Sequence, residues 1–128
     1  MDVGIGTYTA MGFDEAVEAT REALADRGFG ILREIDLTAT LKKKIDKDIE
    51  RVLILGACNP GFAGEAFDVS KEVALLLPCN VVVRESSGGC VIEAQNPALL
   101  AQVISGGLQV MADELSAQMR SMMKDLTR

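Results

Sequence analysis

The chain has 128 residues, enough for one domain that buries roughly two-thirds of its unfolded surface without help from a disulfide or a metal. Its net charge of −6 disfavours nucleic acid and anionic membranes as partners. The chain has no histidine, which excludes histidine bases and His-ligated zinc or haem. Its three cysteines are too few for an all-thiolate tetrahedral metal site within one chain. No metal or cofactor is therefore expected.

The first third of the chain predicts two strands separated by a helix. Residues 3–10 alternate loosely between apolar and polar side chains, as half-buried strands do. Apolar residues then recur at helical spacing from Phe13 to Leu24, and Gly28 is typical of the residue that follows a helix. Residues 29–37 alternate again and predict the second strand.

A short helix and a buried strand are predicted next. Thr38 is a candidate N-cap for a helix that runs through Ile45. Residues 52–57 read Val-Leu-Ile-Leu-Gly-Ala, a short apolar run that is typical of a fully buried strand. Because this run has no polar residue on either face, we expect it to be the central and most buried strand. Pro60 ends its ladder pairing.

The next segment predicts two short helical pieces and a hairpin. Residues 61–76 contain apolar residues at helical spacing, with a break near residues 68–70. Residues 80–85 and 90–95 predict two strands joined by the loop Ser-Ser-Gly-Gly at residues 86–89, whose glycines tolerate positive φ angles.

The last quarter of the chain predicts helix. Asn96 and Pro97 are suited to the N-cap and first position of a helix, which the Ser-Gly-Gly segment at residues 105–107 weakens. A stripe of leucine and methionine then follows at helical spacing. It consists of Leu108, Met111, Leu115, Met119, Met122 and Leu126.

The predicted order of elements is β-α-β-(α)-β-α-β-β-α over a single domain, residues 1–128. This order of strands and helices indicates an α+β fold with a mostly antiparallel sheet of about five strands and helices packed on one face.

The residues with potential chemistry form two blocks that share a Cys-Asn dipeptide beside a proline. The candidate binding or thiol site residues are Cys58, Asn59, Pro60, Pro78, Cys79 and Asn80. A thiolate in a proline-defined turn could serve a redox or soft-metal site, with the asparagine amides as hydrogen-bond donors. The other interpretation is that both cysteines are small buried residues at strand ends and that Asn59 forms a turn.

The sequence also predicts a location. It contains no apolar run of 18 residues, so no membrane span is expected. Its N-terminus lacks the charged and apolar regions of a signal peptide. We therefore expect a cytoplasmic protein with reduced, free thiols.

The two blocks, within residues 54–60 and 76–83, resemble the signature of DUF302, a family of small bacterial and archaeal proteins of unknown function. Residues 13–17 and the Asn-Pro pair at 96–97 are also similar to the family pattern, and the resemblance covers about residues 7–122. It implies an α+β domain that forms a dimer, and it implies no reaction.

Two positions depart from the family pattern. Arg51 and Val52 stand where the family commonly has an aromatic residue, and Ala74 stands where a glycine is frequent. A ligand pocket lined by that aromatic residue would therefore differ in this chain.

These observations lead to one function hypothesis and one alternative. The first is a ligand-binding or non-catalytic cytoplasmic homodimer, which buries either the terminal-helix stripe or a sheet face. The alternative is a thiol-dependent redox, sulfur-handling or soft-metal-binding protein that uses Cys58 and Cys79.

Overall fold

A computed structural model of the chain describes residues 2–104 and 106–128, and five strands form one antiparallel sheet within them. The strands are β1 (Gly4–Thr9), β2 (Gly30–Asp36), β3 (Val52–Cys58), β4 (Cys79–Ser86) and β5 (Gly89–Gln95). Their spatial order is β1-β5-β4-β3-β2. The predicted antiparallel α+β sheet is confirmed, but the middle strand is β4. β3 is an interior strand, paired with β2 and β4.

The helices lie on one face and at one end of this sheet. They are α1 (Phe13–Asp26), α2 (Leu37–Ile45), α3 (Pro60–Val69), α4 (Ala98–Val103) and α5 (Gln109–Leu126), with a 3-10 helix at Lys71–Leu76. α1 contacts β4 and β5, while α5 contacts β1, β5 and α1. The predicted packing of helices on one sheet face is therefore confirmed.

The main core lies between the sheet and these two helices. Alternate strand residues, including Leu55, Val81 and Ile92, are fully buried against apolar residues of α1 and α5. From the terminal-helix stripe, Met119 and Met122 are among the most buried side chains. The stripe is thus core within the chain.

A second, smaller apolar cluster forms beyond the sheet. It joins α3, the 3-10 helix, α4 and the start of α5 through Ala66, Val73, Leu100, Ile104 and Leu108. Within the described residues, no helix is both long and apolar enough to cross a bilayer.

α2 begins two residues earlier than predicted, at Leu37, and Thr38 is not its cap. The Asp36 carboxylate accepts a hydrogen bond from the Ala39 amide at 3.0 Å and fills that role. The Thr38 hydroxyl instead donates to the Glu50 carbonyl and accepts from the Val52 amide, each at 2.8 Å. It ties the start of α2 to the start of β3.

The hairpin between β4 and β5 has a tighter loop than predicted. Ser86 and Gly89 are a paired position, so the loop is only Ser87 and Gly88. Their φ angles of 49° and 80° are both positive, as expected for a two-residue type I′ turn.

The C-terminal helices α4 and α5 are separate elements. Gly106 and Gly107 have φ angles of 113° and 97°, which favour glycine and end the helical path. Ser105, the other member of the predicted weak segment, lies outside the described residues. The Asn96 side chain accepts a hydrogen bond from the Ala98 amide at 3.1 Å, close to its predicted capping role.

Candidate functional site

The antiparallel pairing of β3 with β4 brings the two Cys-Asn blocks to the same end of the sheet. Ala57 is paired with Cys79, and Gly56 is paired with Asn80. Cys58 is therefore one residue out of register with Cys79. Because side chains alternate along a strand, Cys79 shares a face with Ala57, and Cys58 belongs to the opposite face.

Cys79 lies in an environment that keeps its thiol protonated. The residue is 4 % exposed, whereas Cys58 is half-buried. Burial, and secondarily the nearby Cys58, raises the pKa of the Cys79 thiol to about 11. Since the thiolate is the reactive form, Cys79 is a poor nucleophile near neutral pH.

Asn59 and Pro60 start α3. The Asn59 side-chain oxygen accepts a hydrogen bond from the Phe62 amide at 3.1 Å, and Pro60 occupies the first helical turn. This geometry agrees with the turn-forming interpretation of Asn59.

Pro78 and Asn80 also make structural contacts. The Pro78 ring packs directly on Gly56. A Cβ placed on that glycine would lie only 2.9 Å from the Pro78 ring. The backbone amide of Asn80 donates a hydrogen bond to the side-chain oxygen of Gln95 at 3.4 Å, and Asn80 is exposed. Within the described residues, no three acidic or cysteine side chains come together as a metal-ligand group.

A cleft lies at the other end of β3. This cleft and four others in the described part of the chain are lined by no residue of the two cysteine blocks. The cleft at the start of β3 has a volume of about 360 Å³ and lies between α1, the β2–α2 junction and β3. Its lining residues are Phe13, Asp14, Val17, Glu18, Arg21, Asp36, Thr38, Arg51, Val52 and Leu53.

Both charged and apolar groups line this cleft. Arg51 lies over the Phe13 ring at 4.1 Å from its centroid, and its guanidinium is 3.3 Å from the Asp14 carboxylate. Arg21 pairs with Glu18 at 3.2 Å and also with Glu34. The hydrogen bond to Glu34 raises the pKa of Arg21 and lowers that of the Glu34 carboxyl.

Sequence reasoning missed this cleft because its residues come from three separate segments. The signal that could have indicated it is Arg51, a charged side chain directly before an apolar strand. The tie between Thr38 and Val52, which holds α2 beside β3, is not visible as a sequence motif.

Comparison with known families identifies the chain. A model of the family described as "Domain of unknown function DUF302" matches residues 5–126. The chain belongs to the DUF302 family. A crystal structure of an uncharacterised conserved DUF302 protein from Bacillus stearothermophilus is similar over the full length of both chains, with a TM-score of 0.90 and 25 % identity. No curated protein matches.

The DUF302 match extends over both the cysteine blocks and the cleft. The two Cys-Asn blocks lie within the matched range, and so do the residues of the cleft. Arg51 and Val52, at the start of β3, both line the cleft. A cleft ligand of this DUF302 chain would therefore meet a guanidinium at that position.

Proposed function

We propose that this DUF302 protein is a non-catalytic, cytoplasmic homodimer that binds a small molecule in the cleft between α1, α2 and β3. The observation that carries ligand binding is the cleft itself. Its volume of about 360 Å³ lies at the lower end of the range of small-molecule sites. Four of its ten lining residues are apolar and six are polar, five of them charged, so the cleft offers groups that can fix the orientation of a ligand.

The cysteine blocks support a non-catalytic role. Asn59 is engaged as a helix cap, and Cys79 is buried with a protonated thiol. Both features are accounted for by folding, so neither block needs a reaction to explain it.

The sheet face away from α1 and α5 supports the homodimer. Ile54, Val82 and Val91 alternate with fully buried core residues, and they remain only half-buried in the single chain. The terminal-helix stripe, the other candidate interface, is already covered within the chain. A sheet face with such an apolar patch is a suitable surface for a two-fold contact.

This face also carries charged side chains of both signs. The Arg33 side chain lies across Gly56, with its Cγ 2.8 Å from where a Cβ would be, and Glu93 lies across Gly6 in the same way. A guanidinium nitrogen of Arg84 is 3.8 Å from a carboxylate oxygen of Glu93. A two-fold axis through this apolar patch would place arginines of one chain near Glu93 of the other.

The ligand proposal predicts that a bulky side chain in the cleft abolishes binding. Glu18 is on α1, exposed, and lines the cleft, so Glu18→Trp should fill the space without disturbing the core. In a thermal-shift screen of common metabolites, at least one compound should raise the Tm of the wild type and leave that of Glu18→Trp unchanged.

The matched control is Glu22→Trp, one turn further along α1 and outside the cleft lining. It should respond to the compound like the wild type. A screen in which no compound stabilises the wild type, or in which both variants respond equally, would contradict ligand binding in this cleft.

The alternative, a thiol-dependent function, keeps one supporting observation. Cys58 is half-buried and close enough to Cys79 to affect its pKa. A functional thiol pair would place a reactive thiolate at this end of the sheet.

Thiol labelling separates the two functions. We expect iodoacetamide at pH 7.5 to modify Cys58 first and to reach Cys79 only as the protein unfolds. The pKa of Cys79 is raised from its ordinary 9.0 to about 11, so its neutral thiol stabilises the fold below pH 9 and loses this effect as the pH approaches 11. Mass spectrometry of Cys58→Ser and Cys79→Ser variants assigns the sites. Rapid modification of Cys79 in the folded protein would favour the thiol function.

A further inference from the structure

We propose that the cleft binds a zwitterionic ligand of the free amino acid class, with an apolar side chain. This inference rests on the proposed function and names the chemistry of its ligand. It follows from which charged groups of the lining are available and which are already engaged.

The first step is the net charge of the lining. Two arginines, Arg21 and Arg51, face three carboxylates, which belong to Asp14, Glu18 and Asp36. A simple anion would be repelled by three carboxylates in a protein of net charge −6. A simple cation would be repelled by two guanidinium groups. A ligand with separate positive and negative ends is compatible with both sets.

The second step identifies the guanidinium that is free to bind. Arg21 is 30 % exposed and is held by both Glu18 and Glu34. Arg51 is 53 % exposed, and among the described residues its guanidinium makes one ion pair, of 3.3 Å, with Asp14, which is itself 87 % exposed. Exposed pairs of this kind contribute little to stability, so a ligand carboxylate can replace Asp14 at low cost.

The third step identifies the carboxylate. One oxygen of Asp36 accepts the Ala39 amide at 3.0 Å as the cap of α2. In the described part of the chain its second oxygen has no hydrogen-bond partner, so it is available as an acceptor for an ammonium group. The cap also fixes the position of this side chain at the cleft.

The fourth step is the apolar part of the ligand. Val17 and Val52 are buried in the cleft wall, and Leu53 packs against the main core. Phe13 supports Arg51 from below by the cation–π contact. Phe13 and Leu53 are only half-buried, so they offer the apolar surface on which the side chain of a leucine or phenylalanine ligand would be buried.

Isothermal titration calorimetry with three probes tests the class. The probes are L-leucine, 4-methylpentanoate, which lacks the ammonium group, and 3-methylbutylamine, which lacks the carboxylate. We expect leucine to bind and each analogue to bind at least about tenfold more weakly, because each leaves one charged group of the cleft unpaired. Arg51→Gln and Asp36→Asn should each weaken leucine binding by a similar factor.

Asp36→Asn retains the α2 cap, since asparagine is an equally good N-cap residue. Arg120→Gln, in a different cleft, is the matched control and should bind leucine like the wild type. Equal binding of leucine and either analogue would overturn the zwitterion proposal. The zwitterion proposal would also be overturned by a metabolite of another class that binds the wild type but not Glu18→Trp. That result would leave the proposed function intact. If neither leucine, phenylalanine nor any screened metabolite binds, both proposals fail together.

Discussion

Gly89→Ala is expected to destabilise the fold by about 3 kcal/mol or more. A Cβ at residue 89 would fall well inside contact distance of the Thr9 carbonyl oxygen and 2.7 Å from the Tyr8 hydroxyl. Thr9 belongs to β1 and is paired with Cys90 of β5. Its backbone therefore cannot move without breaking the pairing of β1 with β5. The Tyr8 hydroxyl is itself held by the Ser87 carbonyl at 2.8 Å. Urea denaturation should show a lower midpoint with a similar slope.

Gly64→Ala is the matched control for this change. Gly64 lies inside α3, and among the described residues no atom outside its chain neighbours and the backbone of its own helix lies within 4 Å of a Cβ placed there. Alanine should therefore stabilise the protein by about 0.5–1 kcal/mol through its better helix propensity. If Gly89→Ala changed the free energy of unfolding by less than about 0.5 kcal/mol, the close approach of β1 to the hairpin would be wrong.

Val82→Arg is expected to convert the proposed dimer completely to monomer. Val82 is on β4, the middle strand, and its side chain belongs to the open sheet face, between the buried Val81 and Val83. Two copies of the new arginine would meet near the two-fold axis, where they would repel each other and bury unpaired charge. The single chain should tolerate the change because this face is accessible to solvent. Sedimentation should give twice 13.7 kDa for the wild type and 13.7 kDa for the variant.

The control for the interface is Leu75→Arg. Leu75 is 82 % exposed on the 3-10 helix, in a second apolar region beside α4, away from the sheet face. This variant should remain dimeric. A dimer that survives Val82→Arg but dissociates with Leu75→Arg would move the interface to the helical end. A monomeric wild type at micromolar concentration would contradict the homodimer itself.

The sequence alone determined most of the secondary structure of this protein. The apolar run of β3, the helical stripe of α5 and the glycines after α1 act within a few residues of one another, so local periodicity was sufficient. The family motifs were readable for the same reason. Local signals failed only at fine detail, as where Asp36 rather than Thr38 caps α2, because neighbouring residues were equally suitable caps.

The tertiary structure decided everything that depends on pairing between distant segments. Strand order placed β4 in the middle, because the return of β1 to β5 and the pairing of β3 with both β2 and β4 are not encoded in strand composition. Antiparallel register brought Cys58 near Cys79 yet put them on opposite faces. The cleft was invisible in the sequence, since α1, Asp36 and Arg51 meet only when β2 pairs with β3 and α1 packs on the sheet. Burial then decided that Cys79 is a protonated core residue, which no motif could show.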